Sequence, residues 1–488
     1  MVNTSTKSLR KQFVNLAIPT LLSGWVYTLY TFVDGVFIGR YLGAQSLAAL
    51  NLLVPLLYVP YAVSLMIGVG GATLIARLSG QQRFAEARRV FTQALWSMLA
   101  IGLVSSIIVL THTSEIAQLM GATGQLAALV EDYMRAYAWF ILFAQALYAL
   151  EFFLRTEGTK AATFGLYAML LGALVNIALD YYFIVILPLG MQGAGLATGI
   201  SMLVSSVTMF SYHVFKAKKV KPCRHAFKGG SYVGSILYNG SSEFLGGIAA
   251  VVTIFVFNRL VLSTYGESGL AAYAILEYMT LAAIVTMVGF VQTMQPMISF
   301  YRGANQPRAM QAVFTFGAAA VLVTAGIIAV VMCLFSKQLT FLFLPDGESA
   351  WEILGPVVVW YALAFLPAGC NLIATGYLTA VERPGASAMI AVLRSWVLLL
   401  GSLWLLKSYF GGQTIWYALL ITELLTLLAS GWYMLRQPTL RQPTLRQPML
   451  RQPTLRQPTL RQPTLRLQGW LKQRRIQQIV PLDRRPKI

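Results

Sequence analysis

Histidine and cysteine are scarce, at three each in 488 residues. His112, His213 and His225 lie far apart, near span ends or in a linker, so they exclude a histidine-centred metal or catalytic cluster. Cys223, Cys333 and Cys370 are scattered and form neither a disulfide framework nor a metal spacing. Cys223 sits in a basic loop, and Cys333 and Cys370 are expected to be packing residues. No Gly-Lys-Ser/Thr phosphate-binding loop occurs, so ATP is not an evident energy source, and no cofactor is expected. Charge is short as well, at 11% of residues with only 17 acidic ones. A soluble protein of this length carries about a quarter charged residues.

The chain is instead 57% hydrophobic with a mean hydropathy of +0.65. The excess falls in blocks of about 20 or more apolar residues, each long enough to cross a hydrocarbon core of about 30 Å as a helix. The first block has no small-residue cleavage site and runs on into further spans, so it reads as a retained helix. Breaks in hydropathy predict twelve spans, near 12–38, 47–76, 90–111, 126–154, 161–186, 193–215, 234–262, 270–300, 309–335, 351–380, 386–406 and 414–435. Segments on one side of these spans hold eighteen Lys and Arg, among them Lys7, Arg77, Arg88, Lys218 and Arg302. The other side holds Arg40, Lys337 and Lys407. This asymmetry places both termini in the cytoplasm of a cell-membrane, multi-pass protein.

The net charge of +20 does not signal nucleic acid. From Arg436 onward, 13 Lys and Arg face a lone Asp483, so twelve of the twenty charges belong to the tail. There the unit Arg-Gln-Pro-Thr-Leu repeats with period five, Met449 replacing one Thr. A proline every five residues forbids a helix and predicts a disordered tail. Weak attraction to anionic headgroups of membrane lipids is the alternative.

The chain also contains itself twice. Tyr41 to Ala49 resembles Tyr265 to Ala272; Gly80 falls 223 residues before Gly303, and Glu157 falls 225 before Glu382. Each repeat holds six spans, an even number, so both halves enter from the same side and are related by an axis along the membrane normal. The expected fold is an all-α integral membrane protein of two six-helix bundles. The first lobe takes 1–215, a basic linker 216–232, the second lobe 233–435 and the tail 436–488.

Asp34 is the one charge between Lys11 and Arg40, inside a spanning run. A bare carboxylate there costs about 3 kcal/mol on insertion scales, so it is expected to pair, bind an ion or carry a proton. Asp180 is the one charge from Ala161 to Phe215, and Asn176, four residues earlier, shares its helix face. At 1.5 Å per residue, Asp34, Asn176, Asp180 and Thr198 fall at similar height in the outer half of the first bundle. Two carboxylates, an amide and a hydroxyl suit a small cation such as Na+ or a shared proton. A hydrogen-bonded packing cluster is the plainer reading, and two lone aspartates in otherwise uncharged spans weigh against it. Asn258 stands at Asp34's place in the second repeat, which confines the ionisable pair to the first half.

Glu243, Glu277, Arg394 and Glu423 are single intramembrane charges that could line a cavity or snorkel, and Glu243 ranks first as a second-lobe polar site. Glu151 and Arg155 read as a helix-end pair. Glu131, Asp132 and Arg135 read as solvated. Pro55, Pro60 and Met66, then Met279, Met287, Met294, Pro296 and Met297, suit packing or an adaptable cavity.

Phe32-Val33-Asp34-Gly35, Phe153-Leu154-Arg155-Thr156-Glu157-Gly158, Asn176-Ile177-Ala178-Leu179-Asp180, Gly193-Ala194-Gly195-Leu196-Ala197-Thr198 and Ser242-Glu243-Phe244 together resemble the multidrug and toxic compound extrusion (MATE) family, over about residues 8 to 435. The resemblance implies two six-helix lobes around a V-shaped cavity and export of organic, often cationic, compounds driven by inward Na+ or H+. In the bacterial and archaeal branch the cation site matches Asp34, Asn176, Asp180 and Thr198. The other branch places acidic residues in the second lobe; Glu243 lies nearer the inner end, and that role is not carried over. The expected protein is a monomeric transporter of small organic substrates and not an enzyme. A flippase of a lipid-linked precursor would need a strongly cationic cavity. An acyltransferase-type membrane enzyme would need a His or Ser/Asp cluster at one interface, and a channel remains a third alternative.

Overall fold

The computed structural model describes residues 5–343 and 348–436. The repeat tail beyond Arg436 lies outside them, as do the side chains of Pro55 and Met279. Helix α1 (Thr6–Phe37) begins at Ser5, whose hydroxyl accepts from Ser8 N, and runs on into a π-helical turn at Ile38–Leu42. Then come α2 (Ala44–Gly80), α3 (Phe84–Thr111), a short α4 (Thr113–Leu119), α5 (Gly124–Ala138) and α6 (Ile141–Glu157). Helix α7 (Thr159–Asp180) also ends in a π turn, Tyr181–Ile186, and α8 (Gly190–Phe215) closes the first half. The second half holds α9 (Val233–Gly303), α10 (Pro307–Phe343), α11 (Glu348–Leu354), α12 (Val358–Leu363), α13 (Phe365–Ala380), α14 (Pro384–Val392), α15 (Leu399–Leu405) and α16 (Ala418–Leu435).

Among the described residues, eleven helices are long and apolar enough to cross a membrane, and twelve if the pair α5 and α6, bent by 61°, counts as one span. The expected span 126–154 is therefore a broken helix. The expected spans 234–262 and 270–300 are joined without a loop in α9, which folds back only where Gly266 takes φ 66° and ψ −153°. Gly43 has φ 87° and ψ 177° and stands 223 residues earlier. These left-handed conformations are open to glycine and strained for most other residues. The hairpin turns repeat in the same way. Gln82 and Asn305 are both left-handed, as are Gly158 and Glu382. The repeat read from sequence is thus written in the backbone.

Apolar residues point outward because the surrounding solvent is lipid. On α1, Ile18, Leu22, Trp25, Leu29, Phe32 and Val36 are exposed at alternating spacings of three and four, one continuous stripe. The opposite side buries Phe13, Ala17, Thr20, Ser23, Tyr30 and Asp34. Several hydroxyls within the spans bond back along their own helices, as Thr20 Oγ1 does to Leu16 O at 2.9 Å and Thr73 Oγ1 to Val69 O at 2.7 Å, which satisfies them inside an apolar surrounding. Cys333 is exposed and not packed, and Cys370 is half-buried.

Each half has its own apolar core. One is built around Phe91, Tyr133 and Phe153, the other around Phe257, Tyr361 and Trp416. A third cluster, of Leu9, Phe13 and Ala17 with Met294, Ile298 and Tyr301, joins α1 to the second half. Glycines let α2 and α9 touch backbone to backbone: a side chain at Gly70 would strike Ile236 O, one at Gly240 would strike Met66 O, and Gly80 meets Phe300 O. The segment 216–232 is strapped to the first half. Glu157 accepts from Lys219 N at 2.7 Å and Val220 N at 2.5 Å, Gln93 Nε2 donates to Ala226 O at 2.8 Å, and the buried His213 bonds Val220 O at 2.9 Å.

Candidate functional site

Asp34 lies on the last turn of α1, at the edge of the π turn that follows. Asp180 is the last α-helical residue of α7, again just before a π turn. A π turn widens the helix and frees it from strict i to i−4 bonding, a feature frequent at functional positions. The structure brings Asp34 of α1 and Asp180 of α7 together, with Asn176 one turn before Asp180 on the same helix. Asp34 and Thr198 are each 5% exposed, and Asn176 and Asp180 are fully buried. The carboxyl groups of Asp34 and Asp180 are close neighbours where α1 packs against α7.

None of these groups is satisfied by protein. Asp34 Oδ1, both oxygens of Asp180, Asn176 Oδ1 and Nδ2, and Thr198 Oγ1 are buried without a hydrogen-bond partner. Buried polar atoms are normally paired, so these six call for a partner that the protein itself does not supply. Two carboxylates in contact need a proton or a cation between them. The donor set is all oxygen apart from the amide nitrogen, the chemistry of a hard cation. Among the described residues no group of three or more His, Cys, Asp or Glu converges. Any cation here would take its remaining ligands from the amide and hydroxyl oxygens.

Sequence reasoning missed Tyr133. It is buried, and its hydroxyl lies near Thr198 and both carboxylates. It sits two residues before Arg135, whose exposed ion pair with Glu131 at 2.8 Å drew that stretch toward water. The close approach of α5 and α8, where Gly195 meets Tyr133 O, brings the ring inward.

The second-half charges do not form one site. Glu243 accepts from Gln295 Nε2 at 3.2 Å, and Glu277 from Tyr361 Oη at 3.4 Å. Arg394 and Glu423 are not the single charges expected from sequence: Arg394 Nε donates to Glu423 Oε1 at 2.8 Å, and Asn371 Nδ2 donates to Glu423 Oε2 at 2.8 Å. The pair joins neighbouring helices whose contact is invisible in linear order.

Glu151 and Arg155 also depart from the helix-end reading. They pair at 2.6 Å, but the Arg155 side chain is 4% exposed, and its other terminal nitrogen donates to Gln292 Oε1 on α9 at 2.9 Å. They line a cavity of about 70 Å³ between the halves, with Thr20, Ser23, Tyr27, Tyr61 and Tyr148. The three tyrosines meet edge to face, at 5.4 Å for Tyr27–Tyr148 and 4.9 Å for Tyr61–Tyr148.

A polytopic helical protein with an internal repeat, an unsatisfied acidic pair in one half and a cavity between the halves is built as a secondary transporter. Residues 19–182 and 245–403 match the MatE family, and the chain belongs to it. The chain is 25% identical over 418 residues to the multidrug export protein MepA of Staphylococcus haemolyticus, covering 85% of this chain and 91% of that one. MepA of Staphylococcus aureus is 24% identical over 425 residues, with 86% and 92% covered. Among solved structures, a MOP superfamily transporter from Pyrococcus furiosus superposes with a TM-score of 0.82 at 23% identity, over 89% of this chain and 97% of that one. The outward-facing structure of a multidrug resistance MATE family transporter has the same TM-score and coverage at 22% identity. The expected fold of twelve spans in two lobes is borne out.

Proposed function

We propose that this protein exports organic compounds, often cationic ones, by antiport with Na+ or H+. The observation that carries the reading is the contact between Asp34 and Asp180, buried with Asn176 and Thr198 and without a protein partner. The names of the curated relatives, multidrug export proteins, support the transported class. A cation or proton entering this site neutralises the pair and favours one arrangement of the two halves, while drug in the cavity favours the other. Coupling needs only that difference in affinity. Asp34 and Asp180 would hold the ion, Asn176 and Thr198 would supply neutral oxygens, and Tyr133 would orient Thr198.

On this reading the basic face and both termini lie in the cytoplasm, and the chain sits in the cell membrane as a monomer. Its lobes are 1–215 and 233–435, joined by the linker 216–232. It acts on solutes and catalyses no bond change.

The test is uptake of a fluorescent cationic dye into proteoliposomes, with Na+ and pH gradients imposed separately. One gradient should drive the wild type. Asp34→Asn and Asp180→Asn should each lower gradient-driven uptake about tenfold or more while leaving dye binding in detergent within about threefold. Gradient-driven uptake that survives either substitution would exclude this site as the coupling site.

A further inference from the structure

A cavity of about 70 Å³ is several times too small for a drug-sized ligand, whose pockets run from roughly 300 to 1,000 Å³. A ligand therefore enters only if the walls separate. Most of those walls belong to the first half, on α1, α2, α6 and α7, while Val285, Gly289 and Gln292 belong to α9. One hydrogen bond between charged and polar side chains crosses this gap, from Arg155 Nη1 to Gln292 Oε1 at 2.9 Å. Arg155 is held to its own side by Glu151 at 2.6 Å and by Phe152, whose ring centre is 4.6 Å from the guanidinium.

Resting on the export reading above, we infer that Arg155 and Gln292 form a strap that senses substrate: filling the cavity breaks the Arg155–Gln292 bond, so occupancy is transmitted to the separation of the halves. Breaking it does not strand the guanidinium, because Glu151 and Phe152 stay with it on α6. Gln292 is a positioning residue in this scheme and need not touch the ligand. The free energy needed to break the strap is taken from ligand binding, so its strength sets apparent affinity.

This yields effects of opposite sign at one position. Gln292→Leu removes the acceptor, so the empty cavity opens more readily, and ethidium should bind purified full-length protein about three- to tenfold more tightly. Gln292→Glu replaces a neutral acceptor with a charged one and strengthens the strap, so ethidium should bind at least threefold more weakly despite the added negative charge in the cavity. Simple electrostatic attraction of a cation predicts the reverse for Gln292→Glu, and a merely structural residue predicts weakening in both. Either of those outcomes, or no change in both variants, would overturn the strap. A variant that fails to purify as a folded monomer is replaced by Gln292→Asn, which lengthens the bond and should tighten binding as Leu does. Wild-type protein that binds ethidium but moves it under neither gradient would defeat the antiport reading while leaving the binding test intact.

Discussion

At the residue scale, buried charges in this protein fall into two kinds. Arg394 and Glu423 satisfy each other and Asn371, whereas Asp34 and Asp180 leave buried carboxylate oxygens without a protein partner. The first kind holds helices together. Removing one partner of a buried pair leaves the other uncompensated, at a cost of about 3 kcal/mol, somewhat less here because the Arg394 side chain is 25% exposed. Arg394→Met should therefore lower the unfolding temperature in detergent markedly, and Arg394→Met with Glu423→Leu should recover most of it. Equal destabilisation by the single and double variants would show that the pair is not what Arg394 contributes. Asp34 and Asp180 should behave in the opposite way, with Asn substitutions costing transport and little stability.

At the scale of elements, the linker 216–232 is fixed by side chains that reach out from helix ends. Glu157 is central, since one carboxylate accepts from Lys219 N and Val220 N. Its repeat mate Glu382 is used differently, in an ion pair with Arg77 on α2 at 2.8 Å. Glu157→Ala should release the linker, and trypsin should cut at its lysines about tenfold faster in native protein, with dye binding unchanged. The offset that makes the two glutamates equivalent was legible in the sequence. Their different partners were not, because only one half is followed by a linker to capture.

Across the whole molecule, the proposed antiport requires that contacts at the basic face come apart. The Arg77–Glu382 pair joins the halves there, beside the Gly80 and Gly303 backbone contacts. Glu382 adopts φ 51°, a left-handed conformation that the corresponding turn of the first half gives to a glycine, Gly158, so the ion pair sits on backbone that resists it. Burial raises the Glu382 carboxyl above the ordinary glutamate range, against the pull of Arg77 and Arg302. A raised carboxyl favours the folded state most when protonated, so its contribution to stability is full below the unfolded range and is lost as the pH rises through the raised value. Protonation also removes the charge that holds Arg77. Glu382→Gln should thus shift the equilibrium toward opening at the basic face by about 1 kcal/mol, or about fivefold. The measurement is the rate at which an impermeant maleimide labels Ser23→Cys from that face, in a background lacking Cys223, Cys333 and Cys370. Acidification slows maleimide chemistry in both proteins by lowering the thiolate fraction, so the expected outcome is that mild acidification raises the parent's labelling rate relative to that of Glu382→Gln at the same pH.

The sequence by itself determined the spans, the duplication and the height of Asp34, Asn176, Asp180 and Thr198, because hydropathy, period and rise per residue are local properties of a helix in lipid. It could not determine which way each helix turns about its own axis or which neighbour it meets. Those are settled by packing across the bundle, where Gly195 draws Tyr133 to Thr198, α9 brings Gln292 to Arg155, and Arg394 finds Glu423. Asp34 could be recognised as a costly isolated charge from linear order alone. That its partner is a second unsatisfied carboxylate was decided only by the contact between α1 and α7.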